Sequence, residues 1–260
     1  GAARHLSAAA SAPGQPADAE VKVLKVRVKF TKTGPVKFIG HLDVMRYFQK
    51  ALRRADFSMK LTEGFSPHPV MSFAAPLALG DTSECEYMDV ELLSVTHSDR
   101  MRDELNAVMA EGIEVLSVRL LPDGAKNAMS STAVIDSRVR FREGMEPFGR
   151  IPGYPDKEAF FSGINDFLLS DEVMIVKAGK KGEIRKNVKP FIRSWITETD
   201  AFFLSADVRE TFVNPKHIMQ AYASSLELDL DPLSLTSHRV ELYTEIDGSV
   251  ITLEDVGQVF

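Results

Sequence analysis

The sequence predicts the same order of secondary structure twice in succession, and this predicted order limits the possible folds more than any other feature. In the first copy, Lys22–Thr31 alternates apolar and basic residues, which predicts a half-buried strand with Lys25, Arg27 and Lys29 as a basic outer row. His41–Ala55 has apolar residues at helical spacing after a Gly-Pro turn. The remaining segments of this copy are strands over Ser58–Thr62, Cys85–Leu93 and Ile113–Leu121 and a helix over His97–Glu111.

The second copy repeats the order strand–helix–strand–strand–helix–strand. Its predicted helices cover Asp156–Leu169 and Asn214–Glu227, the latter beginning with an Asn-Pro pair that is typical of a helix start. Part of Ile184–Trp195 is expected to pair with the strand that follows it. The predicted strands are Thr132–Phe141, Val173–Ala178, Ala201–Val208 and His238–Ile246.

This repeated order predicts an α+β fold of two tandem ferredoxin-like (βαββαβ) halves, with antiparallel sheets packed by helices. The halves are expected to span residues 22–122 and 123–260. Residues 1–21 are rich in Ala, Ser and Pro, which indicates a flexible linker or an expression remnant. A linker implies a further domain upstream of it.

Composition excludes several classes of protein. Hydrophobic residues make up 44% of the chain, enough for a core, and no apolar run is long enough for a membrane-spanning helix. The single cysteine, Cys85, excludes a disulfide framework and a cysteine-based zinc or iron–sulfur site, and favours a cytoplasmic location. Its alternating surroundings predict a strand residue and not a nucleophile.

The predicted topology brings two loops to one sheet edge. Strands one and two of a ferredoxin-like half are parallel, so Lys37–Asp43 is expected near Ser66–Pro69, with the start of strand three, Ser83–Tyr87, beside them. Glycine at position 40 permits close backbone approach or an unusual dihedral angle at the helix start. The residues expected to converge are His41, Asp43, His68, Glu84 and Glu86.

Two interpretations of this edge remain open. The helix start at Gly40 can bind an anion such as phosphate with help from Lys32 and Lys37, or Gly40 makes only a turn and Asp43 complements the helix dipole. His68, held between two prolines, suits recognition or acid–base chemistry, or it braces its loop. No close histidine spacing indicates a metal ligand set, so no metal site is predicted.

Charge is concentrated in blocks within a chain of net charge −6. Residues 21–60 carry eleven Lys and Arg against two Asp, residues 61–121 carry three Arg against eleven acids, and residues 177–193 carry seven basic residues against one acid. Basic stripes are typical of surfaces that bind a phosphate backbone. The candidate nucleic-acid or substrate-binding residues are Lys32, Lys37, Gly40, His41, Arg46, Arg53, Arg54, Ser66, His68, Lys186 and Arg193; the catalytic candidates are His41, Asp43 and His68.

The strings KVRVKFTKTGPVKFIGHLDVMRYFQKALRRA, EGFSPHPVMSFAAPLALG and SECEYMDVEL resemble the radical-SAM-linked protein family. This is a bacterial domain of unknown function, fused to or encoded beside cobalamin-binding-type radical-SAM proteins. The resemblance covers residues 22–122. It is looser at GEIRKNVKPFIRSW, where Asn187-Val188-Lys189 replaces an acidic stretch. It implies a radical-SAM protein as partner, with the iron–sulfur cluster and S-adenosylmethionine in that partner and no cofactor in this chain.

Three functions therefore remain as hypotheses. The first is an accessory module of a radical-SAM system that contacts RNA, a ribonucleoprotein or ribosomal component, or the partner enzyme, and no membrane. The second is a metal-independent ribonuclease-like enzyme with His41 and His68 as general base and acid. The third is a protein–protein scaffold without nucleic acid, docked through the acidic segment Glu84–Glu114.

Overall fold

A computed structural model describes residues 22–150, 152–179 and 182–260; the predicted linker over residues 1–21 lies outside them. The strands are β1 (Leu24–Lys32), β2 (Met71–Phe73), β3 (Thr82–Leu92), β4 (Val115–Leu120), β5 (Val134–Phe141), β6 (Met174–Gly179), β7 (Gly182–Asn187), β8 (Ile192–Thr197), β9 (Phe202–Asp207), β10 (Leu235–Ile246) and β11 (Ser249–Thr252). The helices are α1 (His41–Arg54), α2 (Ser98–Asn106), α3 (Ala128–Ser131), α4 (Lys157–Leu169) and α5 (Pro215–Ser225). The predicted α+β class is confirmed as one large, mostly antiparallel sheet with helices.

The first part of the sheet has the order β4-β1-β3-β2, with every neighbouring pair antiparallel. Helix α1 buries Phe48 and Leu52 of the predicted apolar stripe here, together with Val44, whereas Leu42, which the same spacing predicted to face the core, is exposed. It packs with alternate residues of β1, such as Val28, in a core that also includes Met101 of α2. Alternation along β1 and helical spacing along α1 thus bury the same core from two sides.

The second part has the order β10-β5-β9-β8, packed by α4 and α5 around a separate core. The predicted strand Val173–Ala178 lies outside the large sheet, because it forms a two-stranded hairpin, β6–β7, whose Ile175 is buried in this core. Ile192–Thr197 instead takes the position next to β9. The expectation that part of Ile184–Trp195 pairs there is confirmed for its last residues.

A short parallel pairing joins the two parts into one sheet. His238 pairs with Thr82 and Arg239 with Ser83, where β10 meets the start of β3. β11 is added to the end of β10 by a hairpin at Asp247–Gly248. Within the described ranges, no helix is both long and apolar enough to cross a membrane.

Candidate functional site

The end of β1 lies beside a buried cluster of charged side chains. Lys32 is 3% exposed, and its Nζ lies 3.4 Å from the carbonyl oxygen of Lys37. Burial lowers the pKa of the Lys32 ammonium, while the carboxylates of Glu86 and Asp81 act in the opposite direction. Lys32 is therefore enclosed by the protein and does not present its charge to an external phosphate.

Two basic residues from the second part of the chain complete this cluster. Arg239 of β10 donates to Glu86 Oε1 at 2.7 Å and to two carbonyl oxygens in the loop after β2. Lys216 of α5 lies 2.7 Å from Asp81 Oδ1. These buried pairs hold the start of β3 against β10 and α5, which indicates a structural role for the cluster.

His41 is the first residue of α1 and lies over the core. Its ring meets the edge of Phe73, with 5.7 Å between the ring centroids. The cavity beside it measures about 10 Å³, and its lining includes Lys32, Val44 and Glu86. A space of this size holds roughly one water molecule, so this cavity does not admit a substrate.

The backbone conformation at Gly40, just before α1, does not require glycine. Gly40 precedes α1 with φ of −74°, and a Cβ at this position would lie 3.7 Å from Asp43 Oδ2, an ordinary contact. The unusual dihedral angle that a glycine would permit is therefore not adopted here. Asp43 is exposed and pairs with Arg46 at 3.2 Å, one helical turn further on. It both complements the helix dipole and neutralises part of the Arg46 charge.

The loop that contains Ser66–Pro69 joins the sheet at the far end of β3. Its return strand begins at Met71, which pairs with Val90 near the C-terminal end of β3. The His41 edge lies beside the start of β3 instead. The second strand was predicted to end at Thr62. In the structure, the chain forms a loop after Leu61, and the strand that pairs with β3 is β2, which begins at Met71. The loop after β2 that reaches the His41 edge is residues 74–81.

His68 therefore does not meet His41. Its Nδ1 lies 3.1 Å from Thr62 Oγ1 and 3.2 Å from the carbonyl oxygen of Ser66, so the ring braces its own loop. The predicted convergence of the two loops is not formed. Glu86 does lie near His41, because both line the small cavity at the end of β1, whereas Glu84 is exposed and pairs with His238 instead.

The basic outer row of β1 is neutralised inside the protein. Arg27 is fully buried and pairs with Asp89 of β3. Lys29 lies 2.6 Å from Glu241 Oε2 and 3.4 Å from Glu254 Oε2. This face of the sheet is covered by β10 and the C-terminal residues, so the predicted solvent-facing row is wrong.

The exposed basic residues of the first part lie on α1. Arg46, Lys50 and Arg53 follow one another at helical spacing on its outer surface, and we term them the basic face of α1. Neither Lys50 nor Arg53 forms an ion pair with another described residue. Arg54 is held differently, because its Nη2 donates to the carbonyl oxygen of Val108 at 3.0 Å.

Three large apolar side chains are exposed beside the start of α1. Phe38, Leu42 and Leu79 are 62%, 63% and 64% exposed. The Gly80 N–H donates to the Lys37 carbonyl oxygen at 2.9 Å, which brings the two loops that carry Phe38 and Leu79 together. The Lys37 ammonium lies 5.1 Å from the Phe38 ring centroid. Exposed apolar groups next to basic residues are typical of an interaction surface.

Lys186 and Arg193 belong to the second part of the chain. The Lys186 ammonium lies over the Phe191 ring, 5.1 Å from its centroid. Arg193 is exposed on β8, the edge strand of the large sheet. Lys180 and Lys181 of this predicted basic block lie outside the described residues.

A polar groove of about 290 Å³ opens where β3, β10 and β5 meet. His238 lies at its centre, with Nδ1 2.8 Å from Thr82 Oγ1 and Nε2 3.2 Å from Glu84 Oε1. Its lining residues are Thr82, Glu84, Arg138, Arg140, Thr236 and His238. Of these, Glu84 alone is among the residues predicted from the sequence to lie at the functional edge.

One signal for this groove is present in the sequence. Val139 and Phe141 of β5 are buried in the core, so strand alternation places Arg138 and Arg140 together on the opposite face. Pairing of His238 with Thr82 had no such signal, because the two residues are 156 positions apart.

Residues 25–222, from β1 into α5, match the family described as "Uncharacterized protein conserved in bacteria (DUF2344)". The chain belongs to this family. A crystal structure of an unknown protein from Galdieria sulphuraria is similar to this DUF2344 protein at 12% identity, covering 84% of this chain and 99% of that one, with a TM-score of 0.24. No curated protein matches this DUF2344 protein.

Cys85 is fully buried in this DUF2344 protein, and burial raises the pKa of its thiol. The protonated thiol agrees with the expected role as a strand residue. In the part of the chain that the structure describes, no group of three or more His, Cys, Asp or Glu side chains is arranged to hold a metal ion.

Proposed function

We propose that this protein is an accessory module of a radical-SAM system that binds RNA through the basic face of α1. The observation that carries the RNA part is the exposure of Arg46, Lys50 and Arg53 on one helix face. Other basic residues of the same segment, such as Arg27 and Lys29, are paired inside the protein. Exposed Lys and Arg clustered along one helix face are typical of surfaces that bind a phosphate backbone.

The radical-SAM part of the proposal rests on the resemblance of residues 22–122. Several cysteine thiolates are needed to hold an iron–sulfur cluster, and this chain has one cysteine, so the cluster would belong to the partner. We place both proteins in the cytoplasm. A tagged copy of this protein is expected to retain the radical-SAM protein during purification from bacterial lysate, and purification without it would contradict the partnership.

We also propose that the two parts of the sheet are ferredoxin-like halves. Two observations support this: β4-β1-β3-β2 and β10-β5-β9-β8 have equivalent strand orders, and each part has its own helices and core. The β6–β7 hairpin would then be an insertion in the second half.

The two alternatives have less support. A ribonuclease using His41 and His68 requires both rings at one scissile bond, and the two lie beside opposite ends of β3. A scaffold docked through the acidic segment requires free carboxylates. Glu86, Asp89 and Glu91 pair with basic residues of the same chain, so the exposed carboxylates without an ion pair to a described residue are confined mainly to Glu111 and Glu114 at the end of the segment.

The RNA proposal is tested with the double variant Lys50→Glu and Arg53→Glu. Fluorescence anisotropy of a short labelled RNA, measured over a range of salt concentrations, gives the affinity and its salt dependence. We expect binding weakened about tenfold or more, and a slope of log K against log salt reduced by about 1.4, or ~0.7 for each lost phosphate contact.

The matched control is Lys126→Glu with Lys157→Glu, which makes the same charge change at exposed positions on a loop and on α4. The control is expected to retain most of the affinity. Equal losses in both double variants would mean that net charge alone drives binding. That result, or unchanged binding of the α1 variant, would overturn the proposal.

A further inference from the structure

We propose that the groove between β3, β10 and β5 binds a phosphate group through Arg138, Arg140 and His238. This inference rests on the proposed function in one respect: we take the ligand to be a backbone phosphate of single-stranded RNA. The groove would then be a second contact for the RNA that the basic face of α1 binds.

The groove continues into a row of side chains across four strands. His238 of β10 pairs with Arg138 of β5, which pairs with Phe203 of β9, which pairs with Ile196 of β8. Directly paired residues share a face of the sheet. This face is the one opposite the core, because the neighbouring Phe202 is buried against α4 and α5. The row therefore lies on the outer face of the sheet.

The chemistry of this row suits a nucleotide. Arg138 and His238 provide N–H donors for phosphate oxygens, and the half-buried Phe203 ring next to them provides a surface on which a base can stack. Ile196 is exposed and extends the apolar end of the row. A polar end and an aromatic end on one sheet face match the two ends of a nucleotide.

The arginines of the groove have N–H groups that are not hydrogen-bonded to any described residue. Arg138 Nη2 donates to Glu198 Oε1 at 3.0 Å, but its Nε has no hydrogen-bond acceptor among the described residues. Arg140 is exposed and forms no ion pair with a described residue. The Arg138 Nε is itself buried, so a phosphate oxygen in the groove would accept from the exposed Arg140 guanidinium and from the exposed part of the Arg138 guanidinium, and bonds between charged groups are the stronger ones.

The two carboxylates near the groove limit its affinity and give it selectivity. Glu84 and Glu198 offset the charge of the two arginines, so binding of a phosphate would depend on hydrogen bonds from Arg138, Arg140 and His238 more than on net charge. Glu84 is exposed and can turn towards solvent when a phosphate takes its place at His238 Nε2. The volume of about 290 Å³ is at the lower end for ligand sites, which fits one nucleotide unit and not a large cofactor.

The test uses the whole chain with Arg140→Gln and with Arg138→Gln plus Arg140→Gln. Binding of a short labelled oligouridine is measured by anisotropy against salt, with Lys157→Gln on α4 as the control of equal charge change. We expect the single variant to weaken binding about threefold to tenfold and to lower the salt slope by ~0.7. Because Arg140 is exposed, this variant is expected to fold normally.

A second measurement separates the groove from the RNA function. Inorganic phosphate is titrated into the protein while the ring proton signals of its six histidines are followed by NMR, with His238→Asn to assign the His238 signal. We expect phosphate to shift the His238 signal, and to shift it much less in the double arginine variant.

The outcomes distinguish the two proposals. The groove inference is overturned if Arg140→Gln binds oligouridine as the wild type does and phosphate leaves the His238 signal unchanged. The proposed RNA binding by α1 is then still judged by the separate test with Lys50→Glu and Arg53→Glu. If phosphate shifts the His238 signal but the wild type binds no oligouridine, the groove is a phosphate site and the RNA function is overturned.

Discussion

Arg27 and Asp89 form a doubly bonded ion pair in the interior of the protein. Arg27 Nε lies 2.7 Å from Asp89 Oδ1, Nη2 lies 2.9 Å from Oδ2, and the two side chains are 0% and 3% exposed. Asp89 also accepts from the Ala128 N–H, and Arg27 donates to the carbonyl oxygen of Leu253. One pair thus connects β1 and β3 to α3 and the C-terminal segment.

Removing one partner of this pair leaves a charge buried without compensation. We expect Asp89→Ala to lower the free energy of unfolding by about 3–5 kcal/mol, measured by urea denaturation. The double variant Arg27→Met with Asp89→Leu removes both charges and is expected to cost less than Asp89→Ala alone. A single-variant cost below about 1 kcal/mol would contradict a buried pair.

The same pair illustrates what strand periodicity predicts. Alternation along β1 correctly separates Val26 and Val28 from Arg27, because the faces of a strand follow from a period of two. It carries no information about what covers the second face. Asp89 is 62 positions away in sequence, and the covering C-terminal segment is further still. The row was therefore predicted to face solvent, although Lys29 contacts Glu241 of β10 and Arg27 contacts the C-terminal segment at Leu253.

The predicted position of the candidate site depended on contacts between residues that are far apart in sequence. The helix at His41 was correct to within one residue, but the position of His68 depended on where the second strand ends. The excursion after Leu61 is closed by an isolated bridge to Pro69, which local patterns do not predict. The groove at His238 requires a parallel pairing between the start of β3 and β10, and loop closure over that distance leaves no local trace.

Two glycines differ in what they require. Gly112 has φ of +91°, and a Cβ there would lie 2.4 Å from the carbonyl oxygen of Thr33, so Gly112→Ala forces backbone movement. We expect a loss of about 2 kcal/mol or more in unfolding free energy. Gly40→Ser, with ordinary φ and space for Cβ, is expected to stay within about 0.5 kcal/mol of the wild type, since serine is a good helix cap.

The glycine comparison also tests the role of Gly40 in binding. If close backbone approach of a ligand required glycine, Gly40→Ser would lose RNA affinity in the anisotropy assay while remaining stable. We expect its affinity to be unchanged, because the basic face of α1 begins further along the helix. A selective loss of affinity would restore the helix start as an anion site.

His217 of α5 makes stability sensitive to mild acid. Burial, together with repulsion from Lys177 and Lys216, lowers its pKa below the ordinary value of 6.5, and its Nδ1 has no hydrogen-bond partner among the described residues. The unfolded chain therefore takes up the proton first as the pH falls. The stability contributed by the neutral ring is complete above about pH 6.5 and is lost as the pH falls through the folded-state pKa.

The expected result is a shallower pH dependence in His217→Gln. Urea denaturation at several values between about pH 7 and pH 5 gives the slope of unfolding free energy for each protein. Carboxylates titrate in both proteins, so the difference between the two slopes reports His217. Identical slopes would contradict a lowered pKa at this position.

Arg53 and Arg54 are adjacent in sequence but serve different purposes in the structure. The Arg54 guanidinium lies 5.8 Å from the Tyr47 ring centroid and donates to the Val108 carbonyl oxygen, so it fastens α1 to the end of α2. Arg53 is exposed without an ion pair to another described residue.

We expect Arg54→Ala to lower the unfolding free energy by about 0.5–1 kcal/mol with little effect on RNA affinity. Arg53→Ala is expected to change stability by less than about 0.5 kcal/mol but to weaken RNA binding and reduce its salt slope by ~0.7. Thermal unfolding and anisotropy on the same two variants decide the point, because a reversed pattern would assign RNA contact to Arg54.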